Sequence, residues 1–126
     1  MSRIVIYIAA FIVLMHGLVH LLYFASYWPV AVLAEVPYKT TLLNGRWDVG
    51  SGGIRLFGFL CLIATVGFIV AAIGLAAGTE WWRPVMFIVA VFSLVLTSLD
   101  WTVAYGGPVI NVIILVLVIA TPCLGL

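Results

Sequence analysis

The stretch "IVIYIAAFIVLMHGLVHLLYFASY", Ile4–Tyr27, decides the fold class, because it exceeds the roughly 20 apolar residues that cross a bilayer core. Three further apolar stretches of spanning length follow it, and only 7% of the 126 residues are charged. A soluble domain carries about 25% charged residues, so a water-soluble fold of this size is excluded. The sequence therefore predicts an all-α, integral membrane four-helix bundle in one domain, residues 1–126, with one long loop between the first and second helices.

Proline, glycine and serine place the ends of the predicted spans. Trp28-Pro29 should end the first span, because a residue before proline is pushed out of helical geometry. Ser51 is expected to cap the second span. The long connection, Pro29–Gly53, is expected to be functional or to fold back as short helical pieces at the membrane surface. Its Asn44-Gly45 pair predicts a turn. The predicted spans are residues 4–27, 54–77, 84–105 and 108–122.

The charged residues say little about orientation and argue against nucleic acid as a partner. Four spans place both termini on one side of the membrane. Lysine and arginine are nearly balanced between the two sides, but Arg3 precedes the first span and favours termini inside. The formal net charge of +1 offers no basic face for nucleic acid. We expect a multi-pass protein of a bacterial cytoplasmic membrane.

Five polar residues are predicted to gather in one half of the membrane. Because the spans alternate in direction, Arg55 begins the second helix on the side where Asp100 ends the third and Asn111 starts the fourth. His16 and His20 lie four residues apart on one face of the first helix. At about 1.5 Å per residue, all five fall within roughly 15 Å of the membrane interface on the side of the long connection. We predict that they form one shared ligand-binding site beneath it.

Asp100 is expected to have a partner, because an aspartate within a span costs about 2.5–3.5 kcal/mol on insertion. The candidate partners are Arg55, His16 and His20. Small and polar residues recur around Asp100 at helical spacing, which predicts a stripe facing the bundle interior. The members of this stripe are Ser93, Thr97, Asp100 and Ala104.

The histidine pair leaves three roles open. His16 and His20 could hold a divalent metal, with Asp100 as a third ligand, because histidines at i and i+4 can reach one ion. Against this role, the chain has no third histidine, and neither cysteine has metal-type spacing. A second possibility is a structural network whose hydrogen bonds fix the helix packing. The third is a pocket for a lipid, a quinone or an isoprenoid.

Four aromatic residues lie where such a pocket would open. They would line its mouth or belong to the aromatic belt at the membrane interface, and the belt is the better interpretation for most of them. These residues are Tyr23, Trp28, Trp47 and Trp101.

Three segments carry a resemblance to known proteins: "HGLVHLLYF", "GRWDVGSGGIRLFGFLCLIATVGF" and "SLVLTSLDWTVAYGGPVINVIIL". Together they resemble a group of small bacterial four-helix membrane proteins that carry a loosely assigned permease name. In size and number of spans the chain also resembles DoxX-like four-helix proteins. The resemblance implies the same fold and no particular reaction. The residues that it marks are His16, His20, Asp100, Gly106 and Asn111.

These observations favour a binding or scaffolding role. The protein would hold an amphipathic ligand, or act as an accessory subunit of a larger membrane complex, with membrane lipid or a second copy as further partners. The alternative is a metal- or quinone-dependent membrane enzyme that uses His16, His20 and Asp100.

Overall fold

The computed structural model describes residues 2–123, which form four helices and one short hairpin. The predicted all-α fold with four helices is confirmed. Each helix packs against the next one along the chain. The elements are α1 (Arg3–Tyr27), β1 (Thr41–Leu42), β2 (Trp47–Asp48), α2 (Gly50–Ala76), α3 (Trp82–Leu99) and α4 (Gly106–Cys123).

Three of the four helices have the length and the surface of membrane spans. Among the described residues, α1, α2 and α3 are long and apolar enough to cross a membrane, and α4 is a shorter apolar helix. Many large apolar side chains point outward. Water would solvate these side chains poorly, whereas lipid would solvate them well. Examples from the four helices are Phe11, Leu56, Ile88 and Val116.

Helix α1 begins and ends at hydrogen bonds that its flanking residues supply. The backbone N–H of Val5 donates to Ser2 Oγ at 3.3 Å, so Ser2 caps the helix. Trp28 donates its backbone N–H to Phe24 O at 3.0 Å. Its indole Nε1–H donates to Arg55 O at 2.7 Å, which ties the end of α1 to the start of α2. The end predicted at Trp28-Pro29 is confirmed.

Helices α1 and α2 approach closely at Gly17. A Cβ atom at this position would lie 2.6 Å from Phe68 Cβ, so a larger residue would push the helices apart. Thr65 Oγ1 donates to Gly17 O at 2.8 Å across the same contact. Small residues and hydroxyl hydrogen bonds are typical of packed membrane helices, where lipid removes the hydrophobic driving force between them.

The connection between α1 and α2 carries an antiparallel hairpin, β1–β2, and not the short helical pieces that were one of its two expected alternatives. Asn44 and Gly45 lie in its turn with φ angles of 58° and 81°, which confirms the predicted turn. The backbone N–H of Leu43 donates to Leu99 O at 2.8 Å. The hairpin is thereby attached to the last residue of α3.

Helix α2 begins earlier than its sequence predicts. It starts at Gly50 and not near Ile54, and its N-cap residue is Val49. The expected cap at Ser51 is wrong, since Ser51 lies inside the first turn. The cause is Asp48 Oδ1, which accepts from the Gly50 N–H at 3.0 Å and leads the hairpin directly into the helix.

Helix α3 ends at Leu99, and the expected continuation to Tyr105 is wrong. Asp100 leaves helical geometry, with φ −118° and ψ 36°. Its carbonyl oxygen accepts from the N–H groups of Val103, at 3.0 Å, and Ala104, at 2.8 Å. These bonds form a turn that reverses the chain towards α4.

Helix α4 begins at Gly106, two residues before the expected Pro108. At its far end it is tied to α3 by Arg83, whose Nη1 donates to Val118 O at 3.2 Å and to Thr121 Oγ1. A cation near the carboxyl end of α4 also offsets the partial negative charge of the helix dipole.

Candidate functional site

Five polar side chains from α1, α3 and α4 lie buried together and form what we call the inner cluster. It brings together three of the five predicted site residues with two members of the predicted stripe on α3. His16 Nε2 lies 3.1 Å from Asn111 Oδ1, and His20 Nε2 lies 2.7 Å from Ser93 Oγ. The inner cluster comprises His16, His20, Ser93, Thr97 and Asn111.

The hydrogen-bond partners fix the orientation of Asn111. Thr97 Oγ1 donates its proton to Ser93 O at 2.8 Å, so towards Asn111 it can only accept. Asn111 Nδ2, at 3.4 Å, is therefore the donor to Thr97 Oγ1. The Asn111 amide oxygen then faces His16, so His16 Nε2 must carry a proton and donate it.

The same logic assigns the protons of His20. Its Nδ1 lies 2.9 Å from His16 O, a carbonyl that can only accept, so Nδ1 carries the proton. Nε2 of the uncharged ring then accepts from the Ser93 hydroxyl, whose oxygen accepts from Asn111 Nδ2 at 2.9 Å. The inner cluster is thus a closed chain of uncharged hydrogen bonds that begins and ends on His16.

A second group of polar side chains, the outer cluster, surrounds Asp100 near the end of α3. Asp100 is 1% exposed. Its Oδ1 accepts from Lys39 Nζ, and its Oδ2 accepts from the Tyr27 hydroxyl. Lys39 comes from the connection between α1 and α2, and its side chain is 22% exposed. The prediction that Arg55 or a histidine pairs with Asp100 is wrong.

Arg55 belongs to neither cluster. Its side chain is exposed, and its guanidinium carbon lies 5.7 Å from the centre of the Trp28 ring. A cation over an aromatic face is attracted to it, and a long side chain in the first turn of a spanning helix can reach the interface. Arg55 therefore does not contribute to a buried site.

The donors that a metal would need do not converge. No group of three His, Cys, Asp or Glu residues within residues 2–123 could hold a metal ion. Both ring nitrogens of His20 have partners in the inner cluster, and both carboxylate oxygens of Asp100 have partners in the outer cluster. A cavity of about 10 Å³ lies between His20 and Asp100, which is room for one water at most. The set His16, His20 and Asp100 predicted for a metal is not assembled.

A groove between α1 and the start of α4 leads to the inner cluster. Its volume is about 680 Å³, within the range of about 300–1,000 Å³ that is common for small-molecule sites. Its walls are largely apolar, and His16 and His20 line its inner side. Residues that form the apolar walls include Phe11, Met15, Val19, Ile110 and Ile113.

Three side-chain polar atoms on residues that line the groove have no hydrogen-bond partner among residues 2–123. They are His16 Nδ1 and the hydroxyls of Tyr23 and Tyr105. Tyr105 is 78% exposed, whereas His16 and Tyr23 are each only 8% exposed. Since no buried side-chain nitrogen or oxygen among these residues lacks a partner, the atoms of His16 and Tyr23 must also reach the surface. Of the four aromatic residues considered for the mouth, Tyr23 alone lines this groove.

Two residues of the outer cluster, Lys39 and Tyr27, are absent from the sequence-based site. Lys39 is the single lysine of the chain, and a buried aspartate needs a cation. The composition alone therefore made Lys39 a candidate partner for Asp100. Tyr27 had no comparable signal, because a tyrosine at the end of a span is typical of the interfacial belt.

The fold and the site together define a class: a membrane-type four-helix bundle with a lateral apolar groove next to an uncharged histidine network. No protein-family model, curated protein or solved structure matches this chain. The functional argument therefore rests on the groove and on the two clusters.

Proposed function

We propose that this protein resides in a bacterial cytoplasmic membrane and binds one amphipathic molecule, such as a lipid, a quinone or an isoprenoid, in the groove between α1 and α4. The observation that carries the proposal is a groove of about 680 Å³ with apolar walls that ends on His16. Sites for small molecules combine largely apolar walls with a few polar groups that fix orientation. This groove has that composition.

The position of the groove suits a ligand that arrives from the membrane. It lies between two helices whose outer faces are apolar, so a chain could enter sideways without crossing water. The apolar part would lie along Phe11 and Ile113, and the polar part would lie near His16. The outer cluster would close the end of the bundle by attaching the connection through Lys39 and Asp100.

Binding is favoured over catalysis by the way the polar groups are used. His20, Ser93 and Asn111 hydrogen-bond within the inner cluster. Ser93 lies 2.7 Å from His20 Nε2, but it is fully buried, which leaves a substrate no access to its hydroxyl. We therefore assign these three residues to holding the wall of the groove.

A pair of glycine variants tests the proposal. Gly106 lines the groove, and a Cβ added there meets no atom within 4 Å, so Gly106→Leu should fill the groove without a clash at its first carbon. Gly52→Leu is the matched control, since Gly52 also has open space, lies in the first turn of α2 and does not line the groove.

The readout is native mass spectrometry of protein purified from bacterial membranes in mild detergent. Wild type and Gly52→Leu should retain a bound lipid-sized molecule at about one per protein, and Gly106→Leu should lose it. The same adducts on all three proteins, or none on any, would contradict the proposal. A protein that co-purifies with the wild type in place of a lipid would instead indicate an accessory subunit.

A further inference from the structure

We infer that the molecule held in the groove carries an uncharged hydroxyl group that donates a hydrogen bond to His16 Nδ1. This inference rests on the proposed function and specifies the headgroup of the ligand. It excludes two common kinds of headgroup, those that only accept hydrogen bonds and those that carry a phosphate.

The first step is the protonation of His16. Thr97 fixes the Asn111 amide so that its oxygen faces His16 Nε2, which must then donate. His16 is buried and has no carboxylate partner among the described residues, and burying an unpaired charge is costly, so its imidazole is uncharged. In an uncharged imidazole, the other nitrogen has no proton and can only accept. His16 Nδ1 is therefore a bare acceptor.

The second step is the surroundings of that acceptor. His16 is a buried residue, of which only 8% is exposed. An acceptor in such a place costs free energy unless a donor reaches it. The groove walls do not supply this donor, since His16 Nδ1 has no hydrogen-bond partner among residues 2–123. A ligand that brings a donor would gain a hydrogen bond, whereas a carbonyl or ether oxygen would meet the nitrogen lone pair.

The third step is charge. No lysine, arginine, aspartate or glutamate lines the groove. The proton on His16 is directed at Asn111 and not at the groove. A phosphate group would have no cation to neutralise it in an apolar environment, where burying an isolated charge is costly. An alcohol or a phenol donates a hydrogen bond and carries no charge, so it suits both the bare acceptor and the apolar walls.

Tyr23 adds a second polar contact on the same side of α1. It lies seven residues after His16, about 10 Å along the helix axis, and it also lines the groove. A hydroxyl can both donate and accept, so Tyr23 does not narrow the class of headgroup. Two sources fit His16: a long-chain alcohol, and the reduced, quinol form of a quinone.

Ligands with the same tail and different headgroups test the inference. Geranylgeraniol, its methyl ether and its monophosphate are titrated against the purified full-length protein in detergent, and each Kd is measured. The alcohol should bind about tenfold more tightly than the ether, as expected for one hydrogen bond between uncharged groups, and more tightly than the phosphate. A decyl quinol and its quinone form the second arm, in which the quinol should bind about tenfold more tightly. Comparison of the Kd of the alcohol with the Kd of the quinol shows which of the two kinds of ligand the groove prefers.

The variant His16→Phe connects the preference to the proposed atom. Its ring keeps a similar shape in the groove wall, but it has neither ring nitrogen and cannot accept a hydrogen bond from the ligand. The ratio of the ether Kd to the alcohol Kd should fall from about ten to about one, with the ether Kd unchanged. If this variant does not fold, the ratio measured on the wild type still decides the inference.

The outcomes separate the inference from the proposed function. Equal binding of alcohol and ether, or tightest binding of the phosphate, would overturn the inference and leave a groove that binds chains. A ratio that stays near ten in His16→Phe would overturn the assignment to His16 Nδ1. Absence of binding by all the probes, together with purified protein that carries no lipid, would overturn both.

Discussion

The inner and outer clusters both bury polar groups inside the bundle, but one does so without charge and the other with an ion pair. The inner cluster lies deeper and uses uncharged groups in a closed chain of hydrogen bonds. The outer cluster lies at the end of the bundle and keeps an ion pair, in which Lys39 remains 22% exposed. The difference follows from the cost of charge, which is highest near the middle of a bilayer and falls towards the interface.

This contrast also separates two tasks. The outer cluster attaches the connection between α1 and α2 to the end of α3, through Lys39 and Asp100. The inner cluster joins α1, α3 and α4 and leaves one acceptor, His16 Nδ1, at the groove. The following variants test whether the two clusters differ as their geometry indicates.

Asn111→Ala should have the largest effect, because Asn111 is bonded to His16, Ser93 and Thr97. Removing its amide leaves the His16 Nε2–H unpaired and opens a cavity in the inner cluster. We expect the free energy of unfolding to fall by about 2–3 kcal/mol. Denaturation by SDS in mixed micelles measures this. The neighbouring Val112→Ala, at an exposed position, is the control. A loss below about 0.5 kcal/mol would show that the network does not stabilise the packing.

Asp100→Asn should cost less, about 1–2 kcal/mol, although it breaks a pair with a buried carboxylate. Losing one partner of a fully buried pair costs about 3–5 kcal/mol, but Lys39 can turn to water. A double-mutant cycle with Lys39→Met measures the coupling between the two residues, which should weaken at higher ionic strength. Additive single effects would contradict the pairing.

Ser93→Ala should cost about 1 kcal/mol, because His20 Nε2 loses its donor and Asn111 loses one acceptor. Ser98→Ala is a matched control on the same helix, since Ser98 is exposed. Both variants are compared by the SDS midpoint and slope. Unlike the Lys39–Asp100 coupling, the Ser93 effect should not change with salt. A salt-dependent loss would mean that the inner cluster carries charge.

Arg55→Gln should have the smallest effect, below about 0.5 kcal/mol, because Arg55 is exposed and its guanidinium lies over the Trp28 ring. The same unfolding measurement checks this value. A loss as large as that of Asp100→Asn would return Arg55 to the buried site.

Much of the fold could be predicted from the sequence, because long apolar runs and Trp28-Pro29 leave few alternatives. Alternating helix directions also predict that His16, His20 and Asn111 lie in the same half of the bundle, and the structure brings these three together. The stripe of Ser93, Thr97, Asp100 and Ala104 is buried, as its spacing predicts.

The partner of Asp100 and the groove could not be predicted in the same way. Lys39 reaches Asp100 because a hairpin attaches the connection to α3, and such a contact has no helical periodicity. Arg55 lies at the edge of the inward face of α2, where a flexible side chain can turn to the surface. The groove depends on how far α1 and α4 separate, which follows from close contacts elsewhere, such as Gly17 against Phe68.

Photolabelling with a long-chain alcohol that carries a diazirine in its tail tests the central claim most directly. Peptide mass spectrometry after illumination of the protein in membranes should find labels concentrated on Met15, Val19 and Ile110, which line the groove. Gly106→Leu should abolish these labels, and Gly52→Leu should not. Labels spread equally over outward-facing residues such as Ile63 and Val95, and unchanged by Gly106→Leu, would contradict a specific groove for an amphipathic ligand.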